Sequence, residues 1–293
     1  MMNKLKTASR LQHGFAVLLL ILFSGTSRAE ILYEVEWQEH TVWILGTIHL
    51  ARNTDTKLSE RALTALQESD QLWMEMTRDE LTRSSEILFE SGLKPQSYLP
   101  EVLAPEVWEQ LASTTSRLGL APSVVARMEP WLLEYVVLVL TLRNEGFDST
   151  QGIDFQVLRE AAELNKDIYG FELAEEQVEI LSAARSNISV DEHINYILTE
   201  SPSLLEEIVI LERHWQRGEL DEIMAFVDTD MTEYTQHILL VERNQRWFRM
   251  LQQVLSERPG VLFVAVGTAH LGGEQGLLQL FERSGAKVTR HKE

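Results

Sequence analysis

Two apolar runs that end in the same way constrain this chain more than any other feature. Val42-Trp43-Ile44-Leu45 is followed by Gly46-Thr47-Ile48-His49-Leu50, and Phe263-Val264-Ala265-Val266 by Gly267-Thr268-Ala269-His270-Leu271. Short apolar, β-rich runs stopped by glycine predict buried strands. A glycine at that point lets backbone or a ligand come close. Histidine supplies a metal ligand or a general base near neutral pH. Open α/β sheets bind ligands beyond the carboxyl ends of their strands, and His49 and His270 both fall there.

The residues between the two runs predict an α/β fold with a mixed sheet. Residues 58–69 read as a helix that Ser59 can cap, and Leu72 to Met76 as the next strand. Strand, helix and strand in so short a span make a βαβ unit. From Thr77 to about Asn144 the pattern is helical, broken by Pro95, Pro100, Pro105, Pro122 and Pro130. This predicts a mostly helical insertion over about residues 78–150. Its apolar stretch Trp131 to Leu142 is too short to span a bilayer and reads as a buried helix. Further helices are expected over 152–164, 174–184, 203–216, 219–227, 231–256 and 276–283. Strands are expected over 167–171, 261–266 and 286–289, with a frayed tail from Arg290. No Pro/Gly/Ser-rich linker divides the chain, so residues 30–293 read as one domain.

Two acids join the histidines. Glu75 interrupts the run Leu72 to Met76, and Glu172 follows the strand 167–171. A buried carboxylate is costly unless it is paired or bound to a cation. Two histidines and two glutamates at four strand ends form an acid-rich cleft. Such a set can hold a divalent ion such as Zn²⁺, Mn²⁺ or Co²⁺, or can work without metal by drawing a proton from water. Asp154, near a helix start, reads as a helix cap or as support for the pocket. Arg243 reads as a partner for a carboxylate such as Glu172, with Asn244 as a hydrogen-bonding neighbour. His40, His193, His214, His237 and His291 share no pattern and read as ordinary surface or helix residues.

Composition narrows the chemistry. The 293 residues carry 26 Lys+Arg against 45 Asp+Glu and no cysteine. Thiolate zinc sites, iron–sulfur clusters and thiol nucleophiles are therefore excluded. The net charge of −19 argues against a broad nucleic-acid surface. No phosphate-binding loop, dinucleotide fingerprint, G-x-S-x-G elbow or H-E-x-x-H helix is present, so no nucleotide cofactor is expected. At the N-terminus, Lys4, Lys6 and Arg10 precede the apolar run Phe15 to Phe23, and small residues occupy Ser27 and Ala29. This pattern predicts a signal peptide over residues 1–29, a periplasmic or secreted product, and no membrane span after cleavage.

In its motifs the chain resembles the TraB/GumN family, which includes the TIKI proteins. The resemblance rests on Trp43-Ile-Leu-Gly-Thr-Ile-His49, Glu75, Glu129-Pro130-Trp131 and Gly152-Ile-Asp154-Phe155. It continues through Gly170-Phe-Glu172 with Glu176-Gln177, Arg243-Asn244 with Trp247, and Val264-Ala-Val-Gly267-Thr-Ala-His270-Leu271-Gly272. Phe171 stands where many members carry leucine, a conservative departure. TIKI proteins are described as metal-dependent proteases built on paired G-x-x-H motifs and a glutamate. The resemblance thus implies a ligand set of His49, His270 and an acid, Glu172 or Glu75. The fold also resembles that of erythromycin esterase and ChaN; in the esterases histidine and glutamate are thought to activate water without an obligatory metal.

Three functions are expected from these observations. The first is an exported, metal-dependent hydrolase that attacks a peptide, amide or ester carbonyl. The second is a metal-free, esterase-like hydrolase at the same residues. The third is a non-catalytic protein that binds a peptide or small molecule in the same cleft.

Overall fold

Six strands form one sheet in the computed structural model, which describes residues 30–52, 57–199, 201–257 and 260–292. They are β1 (Leu32–Trp37), β2 (His40–Thr47), β4 (Gln71–Met74), β6 (Asp167–Gly170), β7 (Val261–Gly267) and β8 (Lys287–His291). A separate two-stranded ribbon joins β3 (Ala51–Arg52) to β5 (Phe147–Asp148). The expected signal segment, residues 1–29, lies outside the described residues.

The order in the sheet is β6-β4-β7-β2-β1-β8. The first four strands are parallel, and β1 and β8 are antiparallel to their neighbours. The sheet is mixed, as the sequence predicts. The apolar run of β7 earns its central place: Leu262 to Val266 are all buried, and each large side chain contributes roughly 1.5–3 kcal/mol by leaving water. It pairs with β2 on one side and β4 on the other. The βαβ unit of β2 and β4 therefore has a late strand, β7, inserted between its two arms.

Fourteen α-helices lie among the described residues. In chain order they are α1 (Glu60–Glu68), α2 (Arg78–Gly92), α3 (Leu99–Val102), α4 (Pro105–Arg117), α5 (Pro122–Val125), α6 (Pro130–Asn144) and α7 (Ile153–Glu163). Then follow α8 (Ala174–Ala184), α9 (Val190–Thr199), α10 (Ser201–Gln216), α11 (Leu220–Asp230), α12 (Glu233–Gln236), α13 (Glu242–Glu257) and α14 (Leu277–Arg283). Ser59 caps α1 by accepting from the Ala62 N–H at 3.0 Å. Pro105, Pro122 and Pro130 each open a helix, where the missing N–H costs nothing. These prolines thus divide the helical stretch as expected.

The apolar side chains divide into two clusters. One joins the sheet to α1, α7, α13 and α14. The other lies among α2, α4, α6 and α9. Leu132, Leu133, Val136, Val137 and Leu142 of α6 are buried, which explains its nearly unbroken hydrophobicity. Among the described residues no helix is long and apolar enough to cross a membrane.

Several boundaries differ from expectation. Strand β4 stops at Met74, so Glu75 stands beyond the strand end and does not interrupt it. The expected helix 231–256 is α12 and α13 joined by a π-helical turn, His237–Val241. The tail is ordered as strand through His291, because β8 pairs with β1 over Leu32↔His291 to Glu36↔Lys287.

Candidate functional site

Strand register decides which residues meet. In the parallel part of the sheet Thr47 lies beside Gly267, Met74 beside Ala265, and Gly170 beside Met74. The carboxyl ends of β2, β4, β6 and β7 are therefore level. His49, Glu75, Glu172 and His270 are the residues just past those ends, and the structure brings all four to one edge of the sheet.

The two histidines are not equivalent. His49 has 64% of its side chain exposed, whereas His270 has 5%. His49 Nδ1 lies 2.8 Å from Asp154 Oδ2. A carboxylate only accepts, so Nδ1–H donates and Nε2 faces the site. The Asp154 carboxylate raises the imidazole pKa to about 9, with Glu75 assisting and Arg243 opposing. Asp154 is itself fixed by the Thr47 hydroxyl, which donates to Oδ1 at 2.6 Å. Asp154 sits in the first turn of α7 but makes no cap bond there; Gly152 is the cap residue. A Cβ on Gly152 would lie 2.4 Å from the His49 carbonyl oxygen. The backbone approach that seats His49 over Asp154 thus requires glycine.

His270 is held from three sides. Asn244 Nδ2 donates to the Gln275 carbonyl at 3.0 Å, which turns its Oδ1 toward His270 Nδ1 at 2.7 Å. Nδ1 therefore carries the proton and Nε2 is an acceptor. Arg243 NH1 donates to that Nε2 at 3.2 Å, and the Trp247 ring lies 4.3 Å from the imidazole centroid. Burial pushes the His270 pKa down to about 3, with Arg243 acting in the same direction. His270 is neutral at physiological pH.

Arg243, on the first turn of α13, ties the acids together. Its Nε and NH2 donate to the two oxygens of Glu172 at 2.8 and 2.9 Å. NH2 also donates to Glu75 Oε2 at 2.7 Å, and NH1 to the Leu239 carbonyl at 3.0 Å. That carbonyl belongs to the π-helical turn, where the widened spacing is common at functional sites. Burial alone would raise the Glu75 pKa, but Arg243, the two histidines and the Gly267 N–H together outweigh it and hold the carboxyl well below the usual range. Glu75 Oε1 accepts from the Gly267 N–H at 2.8 Å.

The acid that faces both histidines is thus Glu75. Its Oε1 lies 3.9 Å from His49 Nε2 and 3.9 Å from His270 Nε2. Glu172 lies behind it, with no side-chain exposure. Besides Arg243 it accepts from Arg246 at 2.8 Å and from the Trp247 indole at 3.1 Å. Both of its oxygens are spent on N–H donors, which leaves it a poor metal ligand and a poor base. Arg246 and Thr47 are site residues that the sequence reading missed. Arg246 follows Arg243 by three positions on one helix face, and Thr47 is repeated in both Gly-Thr motifs. Of the remaining histidines, His193 lies on helix α9 as a buried residue, with Nδ1 2.6 Å from Glu134, whereas His40 is a buried strand residue, neither surface nor helix.

The expected ligand set for a divalent ion fits this arrangement poorly. Two imidazole nitrogens and one carboxylate oxygen have suitable chemistry, but Glu172 is sealed by arginines and His270 Nε2 already accepts from a guanidinium. Among the described residues no group of three His, Asp or Glu side chains is set to hold an ion.

Comparison with known proteins adds four findings. The profile of the TraB/PrgY/gumN family matches residues 31–290. The uncharacterized protein YbaP of Escherichia coli (strain K12) is 24% identical over 239 residues, covering 81% of this chain and 86% of that protein. YbaP of Shigella flexneri matches to the same extent. No solved structure matches the chain.

Proposed function

Because the chain belongs to the TraB/PrgY/gumN family, and its strand-end residues gather where such sheets bind ligands, we propose that it is a hydrolase that activates water without a metal. The observation that carries this reading is the Asp154–His49 pair at 2.8 Å, whose free nitrogen faces Glu75 Oε1 at 3.9 Å. A gap of that size between two polar atoms is spanned by one water molecule making ordinary hydrogen bonds.

The geometry supports the following roles. Glu75 Oε1 accepts a hydrogen bond from the water and points its oxygen outward; its depressed pKa keeps it from taking the proton. His49 Nε2, in its neutral form, takes that proton as the water attacks a carbonyl carbon. Asp154 holds the ring in the required tautomer and stabilises the imidazolium formed. The same Nε2–H then donates to the leaving amine or alcohol. Exposure of His49 leaves it reachable by substrate, whereas buried His270 and Arg243 position Glu75. The substrate class is a peptide, amide or ester. With residues 1–29 read as an export segment, the substrate is met in the periplasm or outside the cell.

The test is a panel of peptide anilides, aryl amides and aryl esters assayed with the parent chain and with His49→Ala, Asp154→Asn and Glu75→Gln. Each variant is expected to lose about 10²- to 10⁴-fold in kcat/KM while keeping its circular dichroism spectrum. A ligand bound tightly, one per chain, with no turnover and no effect of Glu75→Gln would sink the hydrolase and leave a binding protein.

A further inference from the structure

The guanidinium of Arg243 uses every donor it has. An arginine carries five N–H groups in a fixed fork. Here Nε–H goes to Glu172 Oε1, the two NH2 hydrogens to Glu172 Oε2 and Glu75 Oε2, and the two NH1 hydrogens to the Leu239 carbonyl and His270 Nε2. The group is 4.7 Å from the Trp247 ring centre, and its side chain is 9% exposed. These partners include Glu75, Glu172 and His270, three of the four residues that a strand-end metal would be expected to use.

We infer that Arg243 is the resident cation of this site, occupying by covalent attachment the electrostatic place of a divalent ion. Charge supports this assignment. The two carboxylates, Glu75 and Glu172, already face Arg243 and the partly exposed Arg246, which also pairs with Glu176, so cations are in place beside both acids before any ion arrives. A divalent ion at His49, His270 and Glu75 would place two further charges against the guanidinium in a medium that screens poorly. It would also have to displace NH1 from His270. Lysine could not substitute: three donors on a point charge cannot make five directed bonds. The inference leans on the water-activation reading only for what the cation does in a reaction. Its test reads ion binding and stability, so the two ideas can fail separately.

The test uses residues 30–293, stripped with chelator and then dialysed against Zn²⁺, Mn²⁺ or Co²⁺. Bound metal is counted by elemental mass spectrometry and the thermal midpoint is recorded. The parent chain is expected to hold no ion that depends on His49 and His270: metal content equals that of a His49→Ala/His270→Ala chain, and the midpoint is the same with each ion as with EDTA. Arg243→Ala unmasks the acids and His270, and is expected to gain an ion-dependent rise of several degrees, since any ligand of the native state stabilises it. One ion per parent chain, lost in the double variant and accompanied by a raised midpoint, overturns the inference. That arm stands alone should Arg243→Ala fail to fold.

Discussion

His49 and Asp154, 105 positions apart, meet through Nδ1 and Oδ2 at 2.8 Å. The contact is made by a glycine. Gly152 lets the first turn of α7 close on the His49 carbonyl, and the Ile153 N–H donates to the Ile48 carbonyl at 2.9 Å. The result is an exposed imidazole backed by a fixed carboxylate, which is the arrangement a general base requires.

The pair sets a pH dependence. His49 titrates near 6.5 when unfolded and about 9 when folded. A raised pKa means that the interaction stabilises the native state fully below pH 6.5 and is lost as pH rises through about 9. Water activation needs the neutral ring, so turnover is expected to rise with pH over the same range. Asp154→Asn is expected to return the imidazole toward 6.5 and to flatten both profiles there, as read by imidazole ¹⁵N shifts and by activity. An unchanged His49 titration in that variant would contradict the assignment.

Glu75 predicts the opposite slope. Its folded pKa lies well below 4.5 because Arg243, the histidines and the Gly267 N–H together overcome burial, so its contribution is present above pH 4.5 and fades as pH falls below it. Glu75→Gln leaves Arg243 facing one fewer charge and is expected to cost about 3 kcal/mol, typical for breaking a buried pair. The variant is also expected to lose one proton's worth of acid sensitivity between pH 4.5 and 2.5. Urea titrations over that range measure both effects.

Trp247 is fully buried, and its indole N–H donates to Glu172 while its ring lies against His270 and Phe171. Trp247→Phe keeps an aromatic ring and removes the donor. The expected cost is about 1–3 kcal/mol, because a buried carboxylate loses a bond it cannot replace with water. The loss is measured by denaturant unfolding.

Much of this site was legible because its residues break local rules. Polar Glu75 directly follows an apolar run, His49 and His270 each lie three residues past the glycine that ends one, and a repeated Gly-Thr-x-His-Leu is hard to overlook. The central strand β7 was legible for the same reason. Strand β1 was overlooked, although Tyr33-Glu34-Val35-Glu36-Trp37 alternates as a half-buried strand does. Its partner β8 was expected over 286–289, and only its end reads as a charged tail until Arg290 is seen to reach the Gly218 carbonyl and His291 to lie 2.9 Å from Glu34. The division of labour between Glu75 and Glu172 was also hidden. Both follow a strand end, and only the fork of Arg243 and Arg246 shows that one is sealed and the other faces the histidines. Asp154 could be placed near a helix start by sequence, but its pairing with His49 depends on how α7 packs on the sheet.

Gly267 offers the sharpest probe of the water position. A Cβ there would stand 3.1 Å from Glu75 Oε1, 3.5 Å from His49 Nε2 and 3.7 Å from His270 Cδ2. No φ strain enters, because Gly267 has φ −49° and ψ 135°, values open to any residue. Nor does the added carbon meet backbone, so Gly267→Ala is expected to fold with a stability change of about 1 kcal/mol. The methyl group nevertheless takes the space between Glu75 and His49 where the attacking water must lie. Turnover is therefore expected to fall at least about 100-fold, mostly in kcat, since only the reacting water is excluded. Asp154→Asn, by contrast, acts through the base and changes the pH profile. A Gly267→Ala chain that keeps full kcat would show that water attacks from elsewhere.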